Sequence, residues 1–379
     1  MSSLSRREFL KLALAAAVTA RIGGKLLAAA GSSAVPAPTS APSGGELPRR
    51  VLGKTNEKVT ILGLGCGWIG NCTRTKGPDS EVRSTPVTPE ETAAMVKAAY
   101  EGGIRYFDTS PDYLNSEARL GPAIEPFRKD IFLVSKVNFG ATHQKEVDEK
   151  TNLSHSLQED LDRSLELLKT DHLDLLLLHC LDQRPQTTPS LWNRANRPKE
   201  EQIDLLGKGG ALEFLVKARK AGRVRFIGIS VHANDRKPDD PFADTIAAIS
   251  GSDEWDVIMT FVNPVGRAKW DFEGKVVAPA VKKNIGIAAM KVLGGDGQFA
   301  DDYDRFFRYS LSVPGVATAV VGVSKLEEVH RAIKAARDFR PLNEGEMAEM
   351  IALGKKNTGK TAAMLHRHND RDHAGVQLA

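Results

Sequence analysis

The sequence predicts a (β/α)8 barrel, and three observations carry that prediction. Short apolar runs of strand character alternate eight times with amphipathic helical patterns. Titratable residues close several of those runs: Asp108 in FDTSPDY (107–113), Lys136 at the end of IFLVSK (131–136) and His179 at the end of HLDLLLLH (172–179), with Tyr113 a few residues beyond Asp108. The C-terminal end of a buried strand is where a parallel α/β fold assembles its site. Third, an open doubly wound sheet fits poorly. GLGCGWIG (63–70) has the spacing of a dinucleotide turn, but no helix starts directly after it and no acidic residue stands at the ribose position. These glycines are read as a tight strand-end loop.

In order, ILGLG (61–65) is the first strand, and TPEE opens a capped helix from Pro89 to Glu101. GIRYFD and IFLVSK are strands two and three, and an amphipathic stretch over 153–168 precedes strand four, LDLLLLH. A helix over 211–221 ends at Gly222 before strand five, VRFIGIS. Helix 241–249 leads to strand six, WDVIMTF, and helix 274–283 to strand seven, IGIAAMK. Helix 301–311 leads to strand eight, ATAVVG, and a last barrel helix follows from Lys325. The predicted organisation is a leader over 1–34, a flexible spacer over 35–48, the barrel over 49–340, and a C-terminal helix with a polar tail over 341–379.

The leader carries SRREFLK (5–11), a twin-arginine pattern with Arg6 and Arg7, followed by an apolar run from Leu12 to Ala20. That run is too short to span a bilayer but suits a signal-peptide core. Small residues at 28–30 or 33–34 offer cleavage points, and PAPTSAPSGG (36–45) has no core-forming residue. The leader implies the twin-arginine export machinery as a partner, a periplasmic or extracytoplasmic destination, and no stable membrane span. The formal net charge is +4, most of it in the leader, so the barrel offers no electrostatic case for nucleic acid. Cys66, Cys72 and Cys180 lack CxxC spacing and are read as buried or idle thiols; His366, His368 and His373 lie in a polar tail with no fold around them, and no metal site is expected.

Seven segments in order resemble the aldo-keto reductase family. They are RRVLGKTNEKVTILGLGCGWIG (49–70), GGIRYFDTSPDYLNSEARLG (102–121), LVSK, LLLLHC, RFIGIS (225–230), IAAMKVLGG (287–295) and AVVGVSKLEEV (319–329). The first is similar to the family's opening β-hairpin and first strand, and the second to its Asp/Tyr signature, with the Ser116–Glu117 pair. The resemblance implies the (β/α)8 barrel, a nicotinamide cofactor and a small carbonyl or sugar substrate. It also implies a tetrad. Tyr113 is the acid/base, Lys136 lowers the phenol's pKa from its ordinary value near ~10, Asp108 holds Lys136, and His179 orients the substrate oxygen.

The expected cofactor contacts are Ser230, Met290, Lys291, Leu293, Gly322, Val323, Ser324, Lys325 and Glu328; Trp68 and Trp192 are expected beside the substrate. The 181–208 segment is read as a substrate-facing loop after strand four. This chain departs from the family pattern at the carboxamide clasp, with Val231 where an Asn is usual and Met259 where a Gln is usual. Glu328 stands where a basic residue commonly meets a 2′-phosphate, whereas Lys325 favours that phosphate. The resemblance leaves NADP(H) slightly favoured over NAD(H). A nucleotide-binding barrel without turnover is the alternative.

Overall fold

The computed structural model describes residues 46–70, 72–76, 82–137, 153–179, 181, 210–233, 241–294 and 299–359. The leader, most of the spacer, Cys180, most of the 181–208 loop with Trp192, and the histidine-bearing tail lie outside the described residues.

Eight parallel strands close into a barrel in chain order: β3 (Leu62–Gly65), β6 (Tyr106–Asp108), β7 (Phe132–Val137), β8 (Leu173–Leu178), β9 (Val224–Val231), β10 (Val257–Phe261), β11 (Gly286–Met290) and β12 (Val316–Gly322). Each strand pairs with its sequence neighbour, and β12 closes on β3 through Ala319↔Leu62 to Gly322↔Gly65. The interior is packed rather than open. Tyr106, Phe132, Leu175, Leu177, Met259 and Val320 point inward, and Leu52 floors them. Leu52 follows β1 (Arg49–Val51), which pairs antiparallel with β2 (Lys58–Thr60). That is the expected N-terminal hairpin. Leu, Val and Ile on the opposite strand faces pack under the helices as the larger core.

Local chemistry explains where the elements begin. The Pro89–Glu101 helix starts with a capping box: Thr88 Oγ1 accepts from the Glu91 N–H, and the Thr88 N–H donates to Glu91 Oε2 at 2.8 Å. Helices Leu153–Leu167, Ala211–Lys220, Ala243–Gly251, Tyr303–Ser312 and Leu326–Arg337 follow the amphipathic stretches. β12 carries a bulge: Ile287 pairs with Val316 but Ala288 pairs with Thr318, which leaves Ala317 as the extra residue.

The structure differs from the sequence reading at several places, a helix over Ser116–Ile124 among them. The expected single helix over 274–283 is a π-helical turn, Glu273–Val277, followed by a short α-helix, Ala278–Lys282. Pro279 explains the break, because its ring displaces the carbonyl four residues earlier and it lacks an N–H. A further helix, Pro264–Trp270, precedes it; Asn263 caps it by accepting from the Gly266 N–H at 2.8 Å. Finally, the stretch beyond the strand-end loop forms an antiparallel hairpin, β4 (Cys72–Lys76) with β5 (Val82–Pro86). No element is expected there from the sequence.

The C-terminal helix, Glu344–Lys356, packs against Pro264–Trp270 at very short range. A Cβ on Gly354 would lie 2.1 Å from the Pro264 carbonyl oxygen, so only glycine allows that approach. Among the described residues no helix is long and apolar enough to cross a membrane.

Candidate active site

β6, β7 and β8 deliver Asp108, Lys136 and His179 to one end of the barrel. Lys136 is 1% exposed. Its ammonium donates to Asp108 Oδ1 at 2.8 Å, Asp108 Oδ2 at 2.9 Å and the Thr109 carbonyl at 2.7 Å. Three short acceptors on a buried ammonium fix both its charge and its position. Burial works against that charge, but the Asp108 carboxylate and the Tyr113 phenol hold the Lys136 pKa above the ordinary lysine value. Burial pushes the Asp108 carboxyl up, and Lys136 pulls it back. At 2.8 Å, with both side chains buried, the two form an ion pair by geometry.

Tyr113 meets this pair. Lys136 Nζ lies 4.8 Å from the Tyr113 ring centroid, and the phenol is a charge and hydrogen-bond partner of the ammonium. The loop that brings Tyr113 there is tightly wound. The Tyr113 N–H donates to the Ser110 carbonyl, the Ser116 N–H donates to the Tyr113 carbonyl, and Leu114 adopts φ +50°. A non-glycine residue there costs on the order of 1–3 kcal/mol, a kind of strain that clusters at functional sites. Ser116 ties the loop down by donating to the Cys66 carbonyl at 2.7 Å, and Gly70 lets the neighbouring turn approach. A Cβ on Gly70 would lie 2.1 Å from the Ser116 nitrogen.

His179 follows β8. Its ring meets the Tyr113 ring edge-on, centroids 6.0 Å apart at 85°. Its Nδ1 is 2.9 Å from Asp112 Oδ2 and 3.4 Å from Ser110 Oγ. A second histidine, His232, lies beyond it with ring centroids 6.4 Å apart. All four expected tetrad residues are thus brought together. Sequence reasoning missed Asp112, Ser110 and His232. A usable signal existed for His232: it lies two residues after Ser230 at the end of β9, and the period of two puts both on one face. Asp112, directly before Tyr113, gave no signal beyond its place in FDTSPDY.

Behind the pair lies Glu117, fully buried and accepting from Ser135 Oγ at 2.6 Å and Ser164 Oγ at 3.1 Å. Burial raises its pKa to about 7 against those two donors. Burial, then the Asp108 charge, pushes the Cys66 thiol well up, so Cys66 is no nucleophile.

The other half of the rim comes from β9 to β12 and is mostly apolar. Met259 pairs in register with Ser230, and Phe261 with Met290. Among the described residues, the Ser230 hydroxyl is buried with no hydrogen-bond partner. Such an orphaned hydroxyl suits a ligand with donor and acceptor groups, as a nicotinamide carboxamide has. Lys291 adopts φ +52° and its carbonyl accepts from Asn263 Nδ2 at 2.9 Å; Leu293 is partly buried against the core. Gly322 and Gly65 approach so closely that a Cβ on Gly65 would lie 3.0 Å from the Gly322 nitrogen. Val323 is buried, which leaves its backbone for contacts. The half-buried Trp68 packs over Gly322, where a Cβ would sit 3.2 Å from Trp68 Cδ1. Trp68 therefore stands at the β3–β12 seam.

Glu328 turns back on its own helix. Its Oε2 accepts from the Ser324 N–H at 2.7 Å, the Lys325 N–H at 3.2 Å and Ser324 Oγ at 3.3 Å. The Ser324 and Lys325 N–H groups, just before Leu326–Arg337, are thus already taken by a carboxylate.

The aldo/keto reductase family model matches residues 75–307, and the chain belongs to that family. It is 32% identical over 181 residues to an aldo-keto reductase of Mycobacterium avium, covering 47% of this chain and 46% of that protein. It is 27% identical over 186 residues to an L-galactose dehydrogenase of Arabidopsis thaliana, 48% of this chain and 47% of that one. The matches therefore span about half the length of these curated relatives. Among solved structures, an aldo-keto reductase from Klebsiella pneumoniae in complex with NADP and acetate is 19% identical with a TM-score of 0.56, covering 80% of this chain and 95% of that one. The holo form of one from Bacillus halodurans is 18% identical with a TM-score of 0.55, covering 85% and 99%. At these identities the likeness speaks to the fold.

Proposed function

We propose that the chain is an NAD(P)(H)-dependent oxidoreductase that interconverts a small aldehyde, ketone or sugar carbonyl with its alcohol. The observation that carries this reading is the buried Lys136, clamped by both Asp108 oxygens and the Thr109 carbonyl and set against the Tyr113 phenol.

The nicotinamide supplies or takes the hydride. Every other task falls to the chain. In reduction, the Tyr113 hydroxyl gives its proton to the substrate oxygen as negative charge develops there; in oxidation, Oη takes that proton back. The Lys136 ammonium stabilises the phenolate left behind, and Asp108 keeps the ammonium aimed at it. His179 orients the substrate oxygen. Ser230 would hold the carboxamide, with Met290, Lys291 and Leu293 along the cofactor and Gly322, Val323, Ser324 and Lys325 at the adenosine end. Trp68 and Trp192 would wall the substrate.

The NADP and NADPH complexes among the fold neighbours favour NADP(H) slightly. Glu328 weighs against it, since a 2′-phosphate must displace or neutralise a carboxylate already seated on the same donors. We further propose that the leader sends the folded, cofactor-loaded protein out of the cytoplasm by the twin-arginine route. The nucleotide then travels bound and is recycled by alternating oxidation and reduction of two substrates. Val231 and Met259, which thin the carboxamide clasp, keep one second reading open, a barrel that binds nucleotide without turnover.

The test is hydride transfer by the full chain across a panel of aldehydes, ketones and sugars with NADPH and NADH, alongside nucleotide binding. Turnover with any substrate supports the reductase. Tight nucleotide binding with no transfer across the panel favours the binding barrel.

A further inference from the structure

We propose that Asp112 is the positioning residue of His179, fixing its tautomer and its charge state so that the imidazole serves as a second proton-holding group beside Tyr113. The proposal rests on the reading of Tyr113 and His179 as reaction residues.

The geometry is specific. Asp112 Oδ2 lies 2.9 Å from His179 Nδ1, and the side chains of His179 and Asp112 are 1% and 9% exposed. An ionised carboxylate only accepts, so Nδ1 carries the proton. Ser110 sets the approach. Its Oγ accepts from the Asp112 N–H at 3.2 Å and lies 3.4 Å from the same Nδ1. The backbone is fixed as well, because the His179 N–H donates to the Val137 carbonyl at 3.0 Å. With Nδ1 committed to Asp112, the ring's chemistry toward the substrate passes to Nε2. That atom donates a hydrogen bond when the ring is protonated and accepts one when it is neutral.

The charges around the ring are balanced in a particular way. Asp112 from the Tyr113 loop and Asp108 from β6 favour the imidazolium; Asp108 and His179 interact electrostatically. Lys136 from β7 opposes it, His232 beyond β9 lies with its ring centroid 6.4 Å away, and the Tyr113 ring packs on its edge. Lys136 is already neutralised by Asp108, so Asp112 supplies the deciding charge at contact distance. Protonated His179 assists carbonyl reduction by donating to the substrate oxygen, and neutral His179 assists alcohol oxidation by accepting from it. Asp112 therefore sets the pH at which the enzyme's preferred direction turns over.

The experiment uses the full chain, with its histidines labelled by nitrogen-15 and His179 assigned from the signal lost in His179→Gln. Ring tautomer and titration midpoint are read by NMR in wild type, Asp112→Asn and Asp112→Ala. The expected wild-type state has the proton on Nδ1. In Asp112→Asn the midpoint falls by about one pH unit, because an opposite charge at this range is removed. The amide donor also moves the neutral ring toward the Nε2–H tautomer. The reductive pH profile moves down with the midpoint, and kcat falls about tenfold while KM changes little. An unchanged tautomer and midpoint in both folded variants overturns the proposal. Tyr113→Phe is the separate control. Full turnover in that variant removes the reductase reading, whereas the histidine spectra still decide the role of Asp112.

Discussion

The two halves of the barrel rim are built on opposite principles. From β6 to β8 the strand ends are polar and hydrogen-bonded within the protein: Lys136 has three acceptors, His179 has Asp112, and Glu117 has two serines. From β9 to β12 they are apolar or self-satisfied, with Met259 and Met290 on the strands, the orphaned Ser230 hydroxyl, and Glu328 folded onto its own helix start. The contacts of the first half are made by the protein itself, so folding sets their geometry. The second half leaves the buried Ser230 hydroxyl without a partner among the described residues, an arrangement that suits a bound ligand. A polar, hydrogen-bonded half of the rim thus faces a mostly apolar one, the half proposed above to hold the nucleotide.

Several substitutions break or sharpen that contrast. Lys136→Met leaves the Asp108 carboxylate buried without its counter-charge. It should cost about 3–5 kcal/mol in denaturant melts, and adding Asp108→Asn should return part of it. A loss under about 1 kcal/mol would mean that the pair contributes little to the fold.

Glu117 gives a pH signature to the same half. Its folded pKa of about 7 lies above the ordinary glutamate value, because burial opposes the charge. The folded state then binds the proton more tightly than the unfolded one. The linked stabilisation is full below pH ~4.5 and is lost as pH rises through about 7. Glu117→Gln should flatten that part of the stability–pH curve, a difference on the order of 3 kcal/mol across the window.

The other half should respond through ligand rather than through stability. Ser230→Ala removes a hydroxyl with no partner in the protein. The melting temperature should hold or rise, while nucleotide affinity drops about fivefold, the value of one ordinary hydrogen bond. The smallest effect is expected from Glu328→Gln. Losing one exposed cap should cost a few tenths of a kcal/mol to about 1, and the NADP-to-NAD affinity ratio should rise severalfold as a like charge is removed. An unchanged ratio would place the 2′-position away from Glu328.

How much of this was legible in the sequence follows the same divide. Strand ends such as Lys136 and His179 were legible because each closes a short, mostly apolar run of strand character. The helix from Pro89 was legible to the residue through its Thr88–Glu91 box. Contacts across the site were not. Asp112 meets His179 across 67 positions of chain, through a loop whose turn at Leu114 breaks the usual φ preference. The 72–86 hairpin was missed because CTRTK and VRSTP carry no run of apolar residues to mark a strand. Periodicity hid the π turn before Pro279, since it registers a helix without its defects.

The central claim is that a Lys136-tuned Tyr113 moves the proton. The measurement that meets it most directly is nucleotide-dependent hydride transfer by Tyr113→Phe against wild type, with nucleotide affinity measured on the same preparations. We expect a loss of about 10²–10⁴-fold in turnover, with affinity and melting temperature nearly unchanged. Turnover within a few-fold of wild type in a folded, nucleotide-binding variant would contradict it.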